Sequence, residues 1–295
     1  MKELPVLDSR EAFCDVGSEH MHVSIAGGLP KGFGTFTNQL HELRDWLLGE
    51  GVIRWITIFV HGKHIMAVPT ISIIMPTCNE EAIIGRSLHN LLAMTSKSDG
   101  IEIIVSDASR DGTPDILSSF PVTVCHSAKG RAIQLNCGAR MAGGDILYFL
   151  HADTLPPATF VEDIRSAAAA GKKAGCFRMS FDDNHPLMTL FGWFTQFPFL
   201  ICRGGDQSLF IDKGLFLRIG GFDDTMLIME DYDIITRIER LERFHILAAE
   251  VTTSARKYRR NGIIPLQMSF GTIHLMYALG LDQAAIIRYY RENIL

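Results

Sequence analysis

The chain has 295 residues, 47% hydrophobic and 21% charged, with a formal net charge of -5. That length holds one large domain or two modest ones, and the composition excludes a disordered chain. The acidic balance argues against a general nucleic-acid binder, so no nucleic-acid partner is expected.

The start, MKELPVLDSREAF, lacks the apolar core of a signal peptide, and export by that route is not expected. FCDVGSEHMHVSI reads as a β-hairpin and FTNQLHELRDWLLGEGV as an amphipathic helix. Over residues 13–60 these pieces resemble the beginning of insertion-sequence transposases with a DEDD, RuvC-like nuclease domain. Asp15 matches that family's first metal-binding acid, but RWITIFVHG carries no second one. A nuclease of this kind needs several carboxylates around its metal ions. Residues 1–68 are therefore expected to be a transposase-like remnant or extension, and residues 69–295 a separate domain.

From Pro69 onward strands and helices alternate. TISIIM is an apolar strand, followed by a helix from Glu81 to about Met94. IEIIVSD, PVTVCH and DILYFL are the next strands, with helices in TPDILSSF and KGRAIQLNCGARMAG between them. A further helix is expected from Pro156 to Gly171. GCFRMSF and QSLFI then read as strands, and Asp231 to Arg243 as a helix with Ile234, Ile235, Ile238 and Leu241 on one face. Such alternation predicts an α/β fold, a mostly parallel sheet with helices on both faces.

Two uncharged stretches, Pro186 to Cys202 and Asn261 to Leu281, are interrupted by Gly192 and Pro198, and by Pro265, Gln267, Gly271 and His274. Neither reads as a spanning helix. Peripheral contact with a membrane stays open, because RKYRR immediately precedes the second stretch. The six cysteines form no C-x-x-C pair, which suggests reduced thiols in a cytoplasmic protein and no zinc site. His20, His22, His61, His64, His126 and His274 form no ligand-spaced set, and no chemistry is assigned to them.

In open α/β sheets the carboxyl ends of the strands line the ligand crevice. PTCNEE follows the first strand, Asp107 ends the second, Lys129-Gly130-Arg131 follows the third, and His151-Ala152-Asp153 follows the fourth. Carboxylates beside cations suit a metal-bound, phosphate-bearing ligand. A blander reading has Asp153-Thr154 cap the helix that Pro156-Pro157 begins.

PTCNEE, SDASRDGT, KGRAIQLNCGA, GDILYFLHADT, GGDQSLFI, GGFDD and MEDYD, in that order, resemble family 2 glycosyltransferases of the GT-A fold. The subgroup most similar is the bacterial one associated with radical-SAM/selenium-domain gene clusters. The resemblance runs from Pro69 to about Arg291. It implies transfer of a sugar from a nucleotide donor, usually inverting and dependent on Mg2+ or Mn2+. By position, Pro76, Thr77 and Glu80 would line the nucleoside pocket, and Asp107 would accept from the base of a UDP-sugar. Lys129 and Arg131 would contact the nucleotide or its phosphates.

Asp153 would be the metal-binding acid. His151 stands where many members have the first Asp of Asp-x-Asp, and imidazole suits magnesium less well than a carboxylate does. Glu230 and Asp231 match the family's Glu-Asp pair, with Asp231 the candidate general base, although Asp231 or Asp233 could equally cap the following helix. Asp206 and Gln207 would lie near the acceptor, which is unidentified and could be a lipid. Arg256 would meet the diphosphate, or be a solvated basic turn. Two other functions compete: a catalytically impaired fusion product that only binds nucleotide, and a nucleotidyltransferase. The latter should carry a glycine-rich basic loop where this chain has PTCNEE. A dinucleotide-binding oxidoreductase should show G-x-G-x-x-G there, and does not.

Overall fold

The computed structural model describes residues 68–294, apart from Lys97 and Asp99, and the backbone of four strands nearer the amino terminus. The chain divides into two compact units, Met1–Ala67 and Val68–Leu295. In the first, β1 (Arg10–Val16) and β2 (Glu19–Ile25) pair antiparallel as the expected hairpin, followed in the sheet by β3 (Ile58–Val60) and β4 (Lys63–His64). The helix expected in FTNQLHELRDWLLGEGV lies outside the described residues.

The second unit is an eight-stranded sheet in the order β7-β6-β5-β8-β11-β10-β12-β9. Strands β5 (Ile71–Thr77), β6 (Ile101–Asp107), β7 (Thr123–His126) and β8 (Ile146–Phe149) run parallel, so their carboxyl ends share one edge. Beyond β8, β11 (Leu209–Asp212) is antiparallel to both neighbours, while β10 (Ala174–Phe181) and β12 (His245–Thr253) are parallel to each other.

The strand sequences explain the two-faced core. Along β5, Ile71, Ile73 and Met75 join one apolar cluster and Ile74 the other. On β8, Ile146 and Tyr148 go one way and Leu147 and Phe149 the opposite way, the period of two that a pleated strand imposes. Helices α1 (Ile84–Thr95), with Ile84, Leu88 and Leu91 buried along one stripe, and α4 (Phe160–Ala169) cover the first face. Short α2 (Thr113–Leu117) adds Leu117 to that side.

Helix α3 (Arg131–Met141) covers the second face and presses close at Gly138, where a Cβ would stand 2.5 Å from Ile74 Cγ2. Buried side chains of this size each contribute roughly 1.5–3 kcal/mol.

Among the described residues the remaining α-helices are α5 (Pro186–Phe194), α6 (Lys213–Arg218), α7 (Glu230–Glu239), α8 (Arg256–Asn261), α9 (Ile263–Ala278) and α10 (Gln283–Asn293). Leu266, Ile273, Ile286 and Ile294 make a third small core, against which Met229 packs.

Four expectations need correction. The helix expected from Asp231 to Arg243 runs from Glu230 to Glu239, and Leu241, expected on its apolar face, lies beyond its end and is exposed. The helix expected from Pro156 starts at Phe160, and Thr154–Leu155 instead forms β9, pairing with β12. Asp153 therefore caps no helix. Helix α1 begins at Ile84, because residues 81–83 are held in a turn by backbone bonds to Glu80 and by Glu81 bonding to Gly112. Lastly, Cys125 and Cys137 are joined as a disulfide, against the reading of all thiols as reduced. The end of β7 and the middle of α3 bring their Cα atoms to 6.6 Å, a proximity that a spacing of 12 residues does not reveal.

Candidate active site

The carboxyl edge of β5–β8 gathers most of the residues picked from the sequence. Thr77 and Asp107 end neighbouring strands in register, and Thr77 Oγ1 donates to Asp107 Oδ1 at 2.8 Å. Ser109 Oγ donates to the same oxygen at 2.6 Å. The other oxygen of this buried carboxylate has no hydrogen bond to it among the described residues. Pro76 lies on the same strand end, half-buried.

The loops after β5 and β6 are stitched together. Asn79 tolerates a left-handed φ of 59° and accepts from Arg110 N at 2.9 Å. Gln134, on α3, donates to both strand ends, to Thr77 O at 2.7 Å and Ser106 O at 2.9 Å. Sequence reasoning passed over Gln134, although it lies inside the KGRAIQLNCGA motif.

Lys129 is exposed and has no ion pair among the described residues. Arg131 behaves differently. Its Nη1 stands 3.1 Å from Glu230 Oε1 and 3.7 Å from Asp231 Oδ2, so it joins the third strand's loop to the Glu-Asp pair.

Helix α7 is set in place by three devices. Met229, just before it, is left-handed at φ 67°, a strained state for a residue with a Cβ, and is held by packing on the carboxy-terminal core. Arg237 forks onto Asp233 Oδ2 at 2.6 and 2.9 Å and donates to Ile219 O and Gly221 O. Asn136, on α3, accepts from Phe222 N at 3.0 Å and donates to Phe222 O at 2.7 Å. Neither Asp231 nor Asp233 makes a side-chain cap on this helix. Burial pushes the Asp231 carboxyl up to about 6; adjacent Glu230 adds to this, and Arg131 and His151 oppose it.

The GGDQ turn comes up under this carboxylate. A Cβ at Gly205 would land on Asp231 Oδ2 and His151 Cε1, so only glycine lets the two groups crowd one backbone position. Asp206 Oδ1 is 3.1 Å from His151 Nδ1. Burial works to raise Asp206, but the bond and charge of His151, with Lys257 and Arg131 behind, hold it below the usual carboxylate range. Gln207 is buried, its amide donating to Phe177 O at 3.3 Å while its Oε1 has no hydrogen-bond partner among the described residues.

Asp153 follows β8, and its Oδ2 meets Arg256 Nη2 at 3.2 Å. The same guanidinium takes both oxygens of Glu80, at 2.9 and 3.1 Å. Arg256 is therefore no solvated turn. The Glu80 bond raises its basicity above that of a free arginine; burial opposes this, and Asp153 adds to it.

Among the described residues no three His, Cys, Asp or Glu side chains converge to hold a metal by themselves. Magnesium, however, is commonly held by one or two carboxylates plus substrate phosphates. A strand-end carboxylate that already faces a cation fits that mode.

A mostly parallel sheet between helix layers, with acids and cations collected at its carboxyl edge, is consistent with the GT-A nucleotide-diphospho-sugar transferase fold, which the family match and the solved structures below support. The sequence profile of Glycosyl transferase family 2 matches residues 72–222, just over half of the chain, and the chain belongs to that family.

It is 25% identical over 210 residues to the "Probable glycosyltransferase YdaM" of Bacillus subtilis strain 168, covering 62% of this chain and 50% of that protein. Validoxylamine A glucosyltransferase of Streptomyces hygroscopicus subsp. limoneus is 30% identical over 162 residues, 50% of this chain and 36% of its own length. The chain thus spans about half, or less, of these curated relatives.

In fold it is similar to a mannosyltransferase from Pyrobaculum calidifontis solved with GDP-Man and Mn2+ (TM-score 0.54, 21% identity, 70% of this chain and 62% of that one). S. aureus TarS 1–349 with UDP-GlcNAc is also similar (TM-score 0.54, 15% identity, 76% and 71%).

Proposed function

We propose that residues 69–295 transfer a hexose, with inversion and with the help of Mg2+ or Mn2+, from a nucleoside-diphosphate sugar to an acceptor hydroxyl. A UDP-sugar is the donor we favour. The observation that carries this reading is the convergence of Asp231, Arg131, His151 and Asp206 at one corner of the sheet edge, where burial raises the Asp231 carboxyl. A general base works best with a pKa near the operating pH. Asp231 would take the acceptor's proton as its oxygen attacks the anomeric carbon, and Glu230 would hold Arg131 beside it.

Pro76, Thr77, Glu80 and Asp107 would bind the nucleoside, the free oxygen of Asp107 accepting from the base. Lys129, Arg131 and Arg256 would meet the phosphates. Asp153 would hold the divalent cation, which supplies charge stabilisation to the departing diphosphate. Asp206 would keep His151 oriented beside the base.

The acceptor is unidentified. Leu190, Trp193, Phe194, Phe199 and Ile201 are exposed on α5 and the turn after it, and Ile264, Met268, Leu275 and Leu279 on and just after α9. Ring contacts from Phe191 to Tyr258 and from Tyr258 to Phe270 join these two regions through basic α8. An apolar surface beside basic residues supports peripheral attachment to the inner face of a membrane and a lipid acceptor. No helix among the described residues is long and apolar enough to cross a membrane. Our reading places the protein in the cytoplasm. It also keeps the radical-SAM-associated subgroup, and residues 1–68 as a transposase-like remnant.

Screening UDP-, GDP- and dTDP-sugars with Mn2+ for thermal stabilisation and slow donor hydrolysis tests the reading. UDP or GDP with Mn2+ should raise Tm where NAD and DNA do not. A chain stabilised by none of the nucleotides is no transferase of this kind.

A further inference from the structure

Arg256 opens α8 immediately after β12, and two carboxylates from other strand ends share its guanidinium. Glu80 takes the fork in a two-oxygen geometry, the strong form of an arginine–carboxylate pair. Asp153 accepts the third contact, through Oδ2 at 3.2 Å. That is the acid assigned above to the divalent cation. A guanidinium and a divalent cation repel each other, and one carboxylate oxygen cannot serve both at full strength. In this arrangement Asp153 shares a single positive charge with Glu80, and a metal ion would have to compete with that charge for its Oδ2.

A nucleoside diphosphate changes the balance. It brings several negative oxygens into the same corner, enough to coordinate the metal and to draw the guanidinium off Asp153. The side chain has room to withdraw. Arg256 and Asp153 both line a cavity of about 230 Å³, whose walls also carry Asp182, Ser254 and Asn90. The Arg256 side chain is 44% exposed, so its release needs no unpacking of the core.

We propose that Arg256 is a stand-in cation that makes divalent-metal binding conditional on the nucleoside diphosphate. Asp153 exchanges Arg256 for the metal when the diphosphate arrives, and not before. The free protein therefore holds metal weakly, and metal and nucleotide bind with strong mutual reinforcement. Arg256 acts here as a positioning residue. The inference rests on the metal-assisted reading above.

The test is Mn2+ affinity of the full chain, read from the electron paramagnetic resonance signal of free Mn2+, with and without UDP or GDP. Wild type should bind Mn2+ weakly alone and much more tightly with nucleotide. Arg256→Met should bind Mn2+ alone about tenfold tighter than wild type, and nucleotide should add less. Arg256→Lys, which keeps the charge, should retain most of the block. Arg256→Gln repeats the neutral variant if the methionine variant loses its native circular dichroism.

Equal Mn2+ affinity of wild type and both neutral variants, with Asp153→Asn losing it, would overturn the proposal and leave metal binding at Asp153 standing. Absence of Mn2+ binding in every variant, even with UDP or GDP, would remove the metal reading and this inference together.

Discussion

Asp231 Oδ2 lies 3.7 Å from Arg131 Nη1, and the same nitrogen is 3.1 Å from the neighbouring Glu230. One guanidinium thus faces two buried or nearly buried carboxyls, and it cannot fully neutralise both. The carboxyl left with the poorer contact, Asp231, is the one raised to about 6, by burial first and by Glu230 second.

Asp231→Asn should lower transfer by about two orders of magnitude or more, the usual contribution of a general base. Since the carboxyl titrates near 6 instead of its ordinary 3.8, the base form is present above that pH. The rate should therefore fall as pH drops through about 6, and the Asn variant should lack this limb. Linkage has the matching sign: a raised carboxyl favours the fold most at low pH and loses that contribution as pH rises to about 6. At neutral pH, where burial penalises the ionised carboxyl, the Asn variant should unfold at the same temperature or higher. Near-normal transfer would shift the role to Glu230 or Asp233.

Arg131→Gln removes the cation that favours the ionised form of Asp231. The acid limb of the pH–rate profile should move upward, by about a unit or more for a partner this close. An unmoved limb would mean that a group other than Asp231 sets it.

Asp153→Ala should abolish Mn2+-dependent stabilisation by UDP or GDP, whereas His151→Ala should only weaken it. Imidazole is a poorer partner for a hard cation than a carboxylate, which can also neutralise its charge. Thermal melts with and without Mn2+ read both variants, and equal losses would make His151 a ligand.

Liposomes carrying anionic lipid should float the protein at low salt and less of it at high salt. Replacing exposed Trp193 and Phe199 by serine should reduce flotation without lowering Tm, because neither side chain is buried. No flotation at either salt concentration would retire the membrane contact.

A chain beginning at Val68 should fold and bind nucleotide as the full chain does, because each candidate site residue lies in the unit Val68–Leu295. Much weaker nucleotide binding, measured by calorimetry, would assign residues 1–67 a part in the site.

The sequence by itself determined the alternation of strands and helices, since apolar periodicity is a local property that each segment carries within its own few residues. It also put acids and cations at the ends of β5–β8, because an uninterrupted apolar run that stops at a charge marks where a buried strand meets solvent. Partnerships across the chain were decided only by tertiary structure. Arg256 and Glu80 are 176 residues apart, and Arg131 and Glu230 are 99 apart. No pattern of spacing predicts which carboxylate a long cationic side chain will reach. The same holds for Asp153: that it caps no helix turned on Thr154–Leu155 pairing with β12, a contact made by a strand nearly a hundred residues later. Gly205 likewise looks like any turn glycine until Asp231 and His151 close on it from two other elements. Local periodicity comes from one segment's own side chains, whereas a site is a coincidence of several segments that only the folded packing brings about.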